Sequence, residues 1–174
     1  MALWFCWRSL SLFRLKKRLK KSHRLRNKSL RAWTGFAKAT LSVLSPVFDE
    51  AVKLAPEMAQ ACHQRGKADS ILDQRAQAIQ DFNEAIRLDP QNAQASFSRG
   101  VSLDVLGEYQ RAKSDYDEAI RLDPDDGLAC YNRAIVHTRL GMDREAQADA
   151  DRADGLGFDP SLLENAMNAA RAER

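Results

Sequence analysis

One segment of the chain occurs twice in succession near its middle. Residues 59–92 align with residues 93–126 without a gap, and 15 of the 34 positions are identical. Both copies contain the heptapeptide Glu-Ala-Ile-Arg-Leu-Asp-Pro, at Glu84–Pro90 and at Glu118–Pro124. A period of this length is typical of repeat proteins, in which each unit buries its apolar side chains only against its neighbours. The sequence therefore predicts an array of similar units, a scaffold class whose partner it does not name.

The positions shared by the two copies describe a helical hairpin. Small residues recur where two helices would approach closely, and an aromatic residue and a leucine recur where the space would be filled. These positions are Gly66 and Gly100, Leu72 and Leu106, Ala78 and Ala112, Phe82 and Tyr116, and Ala85 and Ala119. Pro90 and Pro124 then end the second helix, since proline cannot continue one. This spacing resembles the tetratricopeptide repeat (TPR) motif.

The resemblance implies an all-α fold, a right-handed α-solenoid of helical hairpins with a C-terminal capping helix. We expect a basic, flexible N-terminal arm at residues 1–33, a degenerate partial repeat at 34–58, full repeats at 59–92, 93–126 and 127–160, and the capping helix at 161–174. The first helices should span about 59–72, 93–106 and 127–140, and the second helices about 75–88, 109–122 and 143–154. Gly107 and Gly141 mark the turn inside two of the repeats, and Asp73 takes that place in the first full repeat.

The charge of the chain is divided sharply between its two parts. Residues 1–48 hold 12 Lys and Arg and no acid, whereas residues 49–174 hold 15 Lys and Arg against 24 acids, so the net charge of +3 conceals a basic arm. Leu12, Leu15 and Leu19 share a helical stripe among these cations, which suits an amphipathic helix on an anionic membrane surface. The same charges would bind nucleic acid without sequence preference, and an organelle transit peptide has a similar composition. The remaining alternatives are a disordered tail and an upstream extension that the working protein lacks. We expect residues 1–31 to be exposed and mobile in isolation.

The chemically reactive side chains form no recognisable catalytic or metal site. His23, His63 and His137 are scattered, and the sequence contains no phosphate-binding glycine loop or serine elbow. Cys62 and Cys130 occupy the same repeat position and are expected to be small core residues in a reducing compartment. We therefore predict a protein that is not an enzyme, with no catalytic residues, cofactor or metal. We place it in the cytoplasm, with peripheral membrane contact as an open alternative.

The resemblance also implies where a partner would bind. In hairpins of this kind the first helices line a concave face, and the candidates for binding a protein segment there are His63, Lys67, Gln94, Phe97, Val101, Asp104, Leu128, Tyr131 and Ile135. The apolar members would form an aromatic floor, with Phe97 and Tyr131 as equivalent anchors on adjacent helices. Two interpretations stay open: the groove is free for a partner, or a helix of this same chain covers it, since exposed apolar patches are uncommon.

An arginine recurs at the repeat position where the TPR motif has leucine. Each arginine is followed by an aspartate at a spacing that is the same in all three full repeats, which gives the pairs Arg65 with Asp81, Arg99 with Asp115, and Arg133 with Asp149. A guanidinium between two helices requires a carboxylate nearby, so we predict one structural ion pair inside each hairpin. The functional alternative is a ladder of arginines for an anionic ligand.

These features predict a non-catalytic scaffold for protein–protein interaction. It would capture an extended or helical segment in its groove, through aromatic anchors with polar rims. The rival interpretation is an adaptor at a membrane surface or on nucleic acid, in which the basic arm is the main functional part; nucleic acid is the less favoured of the two.

Overall fold

The computed structural model describes residues 35, 38–40, 42, 43, 45–55 and 57–173. Contacts divide the chain into two units, Met1–Val43 and Leu44–Arg174. In the first unit the described residues are helical and exposed, and Ser42 Oγ donates a hydrogen bond to Ala39 O over 2.8 Å. The predictions for the basic arm, residues 1–33, lie outside the described residues.

The second unit is built from helices joined by short turns. Residues 45–54 are helical and are called α1. The helices that follow are α2 (Ala59–Ile71), α3 (Arg75–Leu88), α4 (Ala93–Val105), α5 (Tyr109–Leu122), α6 (Gly127–Arg139), α7 (Asp143–Gly155) and α8 (Pro160–Ala172). The pairs α2–α3, α4–α5 and α6–α7 pack most extensively, and each second helix packs next against the following first helix. The predicted all-α solenoid of hairpins is confirmed, with the ends of α2–α7 within one residue of the expected positions.

The turn inside each hairpin requires a left-handed backbone. The φ angle is 65° at Asp73, 78° at Gly107 and 80° at Gly141. Glycine adopts this conformation without a steric cost, and aspartate is one of the few other residues that tolerate it. The three turn residues predicted from the sequence therefore serve one backbone geometry.

An aromatic ring fills the first two hairpins opposite a glycine. Phe82 and Tyr116, on the second helices, are fully buried. A Cβ atom at Gly66 would lie 2.8 Å from Phe82 Cε1, and one at Gly100 would lie 2.9 Å from Tyr116 Cε1. Because real Cβ atoms do not approach a ring so closely, only glycine fits at these positions. This packing explains why the glycine and the aromatic residue recur together.

One buried carboxylate has no counterpart in the later hairpins. Asp69 on α2 is only 7% exposed, and the equivalent positions are Leu103 and His137. Burial, and then the nearby Asp81 carboxylate, raise the pKa of Asp69. The ionised form of this residue is therefore unfavourable in the folded protein.

Replacing Asp69 with asparagine is expected to raise the free energy of unfolding at pH 7 by roughly 1 kcal/mol. Because the folded-state pKa is raised, the cost of ionised Asp69 is present above that pKa. It shrinks as the pH falls towards the unfolded pKa, near 4, and disappears below it, where both states are protonated. The advantage of the variant should therefore shrink towards acid pH. Urea unfolding of both proteins from pH 7 to about pH 4 measures this; a variant less stable than the native chain at pH 7 would contradict it.

Candidate functional site

Three arginine–aspartate pairs join the two helices of each hairpin. In every pair the arginine Nε donates to one carboxylate oxygen at 2.8 Å and Nη2 donates to the other at 2.6 Å. The pairs are Arg65 with Asp81, Arg99 with Asp115, and Arg133 with Asp149. The aspartate side chains are 7–9% exposed and the arginine side chains 17–27%. The structure thus brings together the six residues that the repeat spacing pairs.

Each of these arginines also reaches a helix before its own hairpin. Nη1 donates to Asp49 at 3.4 Å from Arg65, and the equivalent bonds to Asn83 and Asp117 are both 2.7 Å long. The three acceptors occupy one repeat position, a regularity that the sequence analysis missed because Asn83 interrupts the run of acids. All three guanidinium nitrogens therefore donate to the chain itself, which favours a structural role over binding of an anionic ligand.

In the third hairpin a histidine lies beside the ion pair. His137 Nδ1 lies 3.0 Å from Asp149 Oδ2. Burial alone would raise the pKa of Asp149, but the neighbouring His137 and Arg133 side chains outweigh it and lower the pKa. Asp149 therefore stays ionised and contributes stability above its unfolded pKa, which is lost only as the pH falls through the lowered folded value.

The fifth residue of each repeat contacts an aromatic ring of the same chain. The ring centroids lie 5.8 Å apart for His63 and Phe82, 5.9 Å for Phe97 and Tyr116, and 5.8 Å for Tyr131 and Phe158. In the third hairpin the usual aromatic position holds Ala150, and Phe158, from the connection between α7 and α8, supplies the ring instead. Phe97 and Tyr131 are therefore half-buried against the chain's own side chains.

Two glycines allow Phe158 to reach this position. Gly157 has a φ angle of 91°, which favours glycine, and turns the chain just before the ring. A Cβ atom at Gly127 would lie 2.7 Å from Phe158 Cε2. The connection between α7 and α8 is thus a packed element.

The last helix covers the C-terminal part of the candidate groove. Phe158, before α8, contacts Tyr131, and Glu173, after α8, has its Oε2 atom 3.6 Å from Arg139 Nε. Tyr131 and Arg139 are about two turns apart on α6, so α8 runs alongside α6 in the same direction. Ile135, between them, packs against the cluster to which α8 contributes buried side chains. For this part of the face, the geometry supports the interpretation in which the chain covers its own groove.

The N-terminal part of the face has a polar floor. His63 Nε2 lies 3.1 Å from Ser98 Oγ, and Ser70 Oγ lies 3.0 Å from Ser102 Oγ, so hydroxyl groups join α2 to α4. His63 is only 5% exposed, and burial, followed by the charge of Lys67, lowers its pKa. His63 is therefore neutral, and its Nε2 atom contacts another part of the chain.

Three of the nine candidate groove residues are exposed. They lie on successive first helices and are Lys67, Gln94 and Leu128. Leu128 is 43% exposed. Val101 and Asp104 are half-buried, and Asp104 Oδ1 accepts a hydrogen bond from Arg139 Nη1 at 2.5 Å. The exposed candidates are therefore one cation, one amide and one apolar side chain, each on a different first helix.

Truncating either predicted anchor ring is expected to destabilise the fold. Phe97→Ala and Tyr131→Ala should each lower the free energy of unfolding by about 2 kcal/mol, because each half-buried ring loses its packing against another ring. Leu128→Ala, at an exposed site, should change it by less than about 0.5 kcal/mol. Urea denaturation of the three variants compares them. Unchanged stability of both ring variants would instead indicate an open groove that the fold does not need.

The described residues include no recognisable metal-binding site. No group of three or more His, Cys, Asp or Glu side chains is arranged there to hold a metal ion. Burial raises the pKa of the Cys62 and Cys130 thiols, which are both free and buried, so they stay protonated and unreactive. Among the same residues, no helix has the length and apolar character needed to cross a membrane.

Stacked helical hairpins of one repeating length, each held by the same ion pair, define an α-solenoid repeat protein. A family model described as "Tetratricopeptide repeat" matches residues 64–127 and 102–157. The matches together cover more than half of the 174 residues, so the chain belongs to the tetratricopeptide repeat family. No curated protein sequence matches this chain.

Solved structures share this fold at low sequence identity. The structure titled "Crystal structure of MamA" is 16% identical with a TM-score of 0.66, over 78% of this chain and 86% of that chain. The Arabidopsis OM64 TPR domain is 24% identical with a TM-score of 0.60, over 68% of this chain and 98% of that domain. At these identities the likeness shows the fold alone.

Proposed function

We propose that this protein binds a segment of another protein across the concave face of its hairpins. The TPR fold is a scaffold for protein–protein interaction, which supports this general function. The observation that carries the specific proposal is the exposed strip of Lys67, Gln94 and Leu128, one residue on each of three successive first helices. The predicted anchors Phe97 and Tyr131 are half-buried and would add to the same face.

The chemistry of the strip selects an extended segment. Packed helices lie about 8–10 Å apart, so an extended segment of about six residues would reach from α2 to α6. Lys67 would bind a carboxylate, the Gln94 amide can both donate to and accept from a peptide backbone, and Leu128 would contact an apolar side chain. The segment favoured by these groups carries an acidic residue near one end and an apolar residue near the other.

Affinity capture with the full chain tests this proposal. The amount of partner protein that the chain retains should fall at least about tenfold with Lys67→Ala or with Leu128→Glu, because each change removes one end of the strip. The control is Arg121→Ala, on the second helix α5, where Arg121 is exposed and paired with Glu118. A partner that is lost with Arg121→Ala but retained by both strip variants would contradict binding at this face.

A second candidate function rests on the composition of the arm. The 11 Lys and Arg of residues 1–33, without an acid, would attract an anionic membrane surface or nucleic acid. In this case the full chain should bind phosphatidylserine vesicles or a DNA duplex in a salt-dependent way, and deletion of residues 1–31 should abolish the binding. Binding that survives the deletion would exclude the arm as the functional part.

A further inference from the structure

The arginine ladder is the series of Nη1 hydrogen bonds from Arg65, Arg99 and Arg133. It lacks its next member at the C-terminal end. The acceptors of the Nη1 bonds, Asp49, Asn83 and Asp117, recur once per repeat, and the next position in this series is Asp151 on α7. The arginine that would bind it corresponds to position 167, where α8 has Met167. Asp151 instead accepts a hydrogen bond from Gln147 Nε2 of its own helix, at 2.8 Å.

The helix α8 does not take the place of a further first helix. Outside its own hairpin, α4 packs more on α3 than on α2, and α6 packs more on α5 than on α4, whereas α8 packs more on α6 than on α7. Cys130 and Ala134 are buried on α6, but the equivalent residues of α8, Glu164 and Asn168, are exposed. The face of α7 on which another first helix would rest is therefore left partly open.

A cleft of about 350 Å³ marks this open face. It is lined by apolar side chains and by carboxylates, among them Ala150, Leu163, Met167, Asp151, Asp154 and Glu164. Arg171 also lines the cleft, but its Nη1 donates to Asn168 at 2.7 Å and its Nε lies 3.8 Å from Asp143. Leu163 and Met167 are almost fully buried, so the accessible surface of the cleft is mainly acidic, with Ala150 and Pro160 as its apolar part.

We propose that this cleft binds a helix of a partner protein, one that carries an arginine beside small apolar side chains. The guanidinium would donate to Asp151 as Arg133 donates to Asp117 one hairpin earlier, and the apolar face of the helix would cover Ala150. An arginine is favoured over a lysine because an arginine bonds the equivalent acceptor in every complete step of the ladder. The surface lies between α7 and α8, so the inference is independent of the concave strip.

The probe is a fluorescein-labelled, stapled peptide with the sequence of α6, Gly127–Arg139, which carries Arg133 on the helix that caps the preceding hairpin. It should bind the full chain and shift the backbone amide resonances of Ala150 and Leu163. Asp151→Ala should weaken the binding at least about tenfold, since a hydrogen bond to a charged group is lost. Asp125→Ala, an exposed acid in the turn between α5 and α6, is the matched control and should bind like the native chain.

A second peptide, with Arg133→Leu, completes the double-mutant cycle. It should bind the native chain about tenfold more weakly than the first peptide does, and Asp151→Ala should then cause no further loss. Absence of saturable binding, or equal weakening by Asp151→Ala and Asp125→Ala, would overturn the proposal. A concentration-dependent dimer that Asp151→Ala abolishes would overturn it too, because the occupant would then be a second copy of this chain.

Discussion

Asp115→Ala is expected to lower the free energy of unfolding by about 3–5 kcal/mol. The Asp115 side chain is 8% exposed and accepts two hydrogen bonds from Arg99. Its removal leaves a guanidinium between two helices whose remaining partner, Asn83, carries no charge. Asp125→Ala, at an exposed site, is the control and should change the stability by less than about 0.5 kcal/mol. Urea denaturation at neutral pH measures both.

Arg99→Leu should restore part of the stability in the Asp115→Ala background. Leucine is the residue that the TPR motif has at this position, and it would fill the space without leaving a charge unpaired. Equal and small losses for Asp115→Ala and Asp125→Ala would contradict the account of the ladder, since they would mean that solvent screens the pair.

Tyr116→Ala is expected to lower the free energy of unfolding by about 3–5 kcal/mol. The ring is fully buried and fills the second hairpin opposite Gly100, so its loss opens a cavity between the helices. Tyr116→Phe should leave the free energy of unfolding unchanged or raise it by up to about 1 kcal/mol. The buried Tyr116 hydroxyl has no hydrogen-bond partner among the described residues, and the first hairpin has Phe82 at the equivalent position.

Thermal and urea unfolding of the two Tyr116 variants separate the ring from the hydroxyl. If Tyr116→Phe loses as much stability as Tyr116→Ala, the hydroxyl makes an essential interaction and the packing explanation is wrong. The Gly100→Ala variant provides an independent comparison, because a Cβ atom there would lie 2.9 Å from Tyr116 Cε1 and force the ring to move.

The parts of the fold that repeat could be predicted from the sequence. The helix ends, the left-handed turns at Asp73, Gly107 and Gly141, and the ion pairs between the two helices of a hairpin each depend on residues within one repeat. The same local sequence recurs from one repeat to the next, so the residues that predict each element occur at least twice in the chain. Period and spacing were sufficient here because every hairpin packs mainly within itself.

The parts that depend on non-repeating residues could not be predicted. The exposure of Tyr131 is set by Phe158, which lies in a connection that has no equivalent in the earlier repeats. His63 is buried, and its Nε2 atom lies 3.1 Å from a hydroxyl group on the next hairpin, that of Ser98. The sequence placed both residues on the concave face by their position in the repeat, and this position alone does not determine whether a side chain remains accessible.

Site-specific photo-crosslinking tests the binding of a protein segment at the concave face most directly. Benzoylphenylalanine would be placed at position 94 or 128 of the full chain, and at position 121 on α5 as the control. A partner bound along the strip should form a covalent adduct from positions 94 and 128 and none from position 121, with the same partner protein in both adducts. Adducts from position 121 alone would contradict the proposed function.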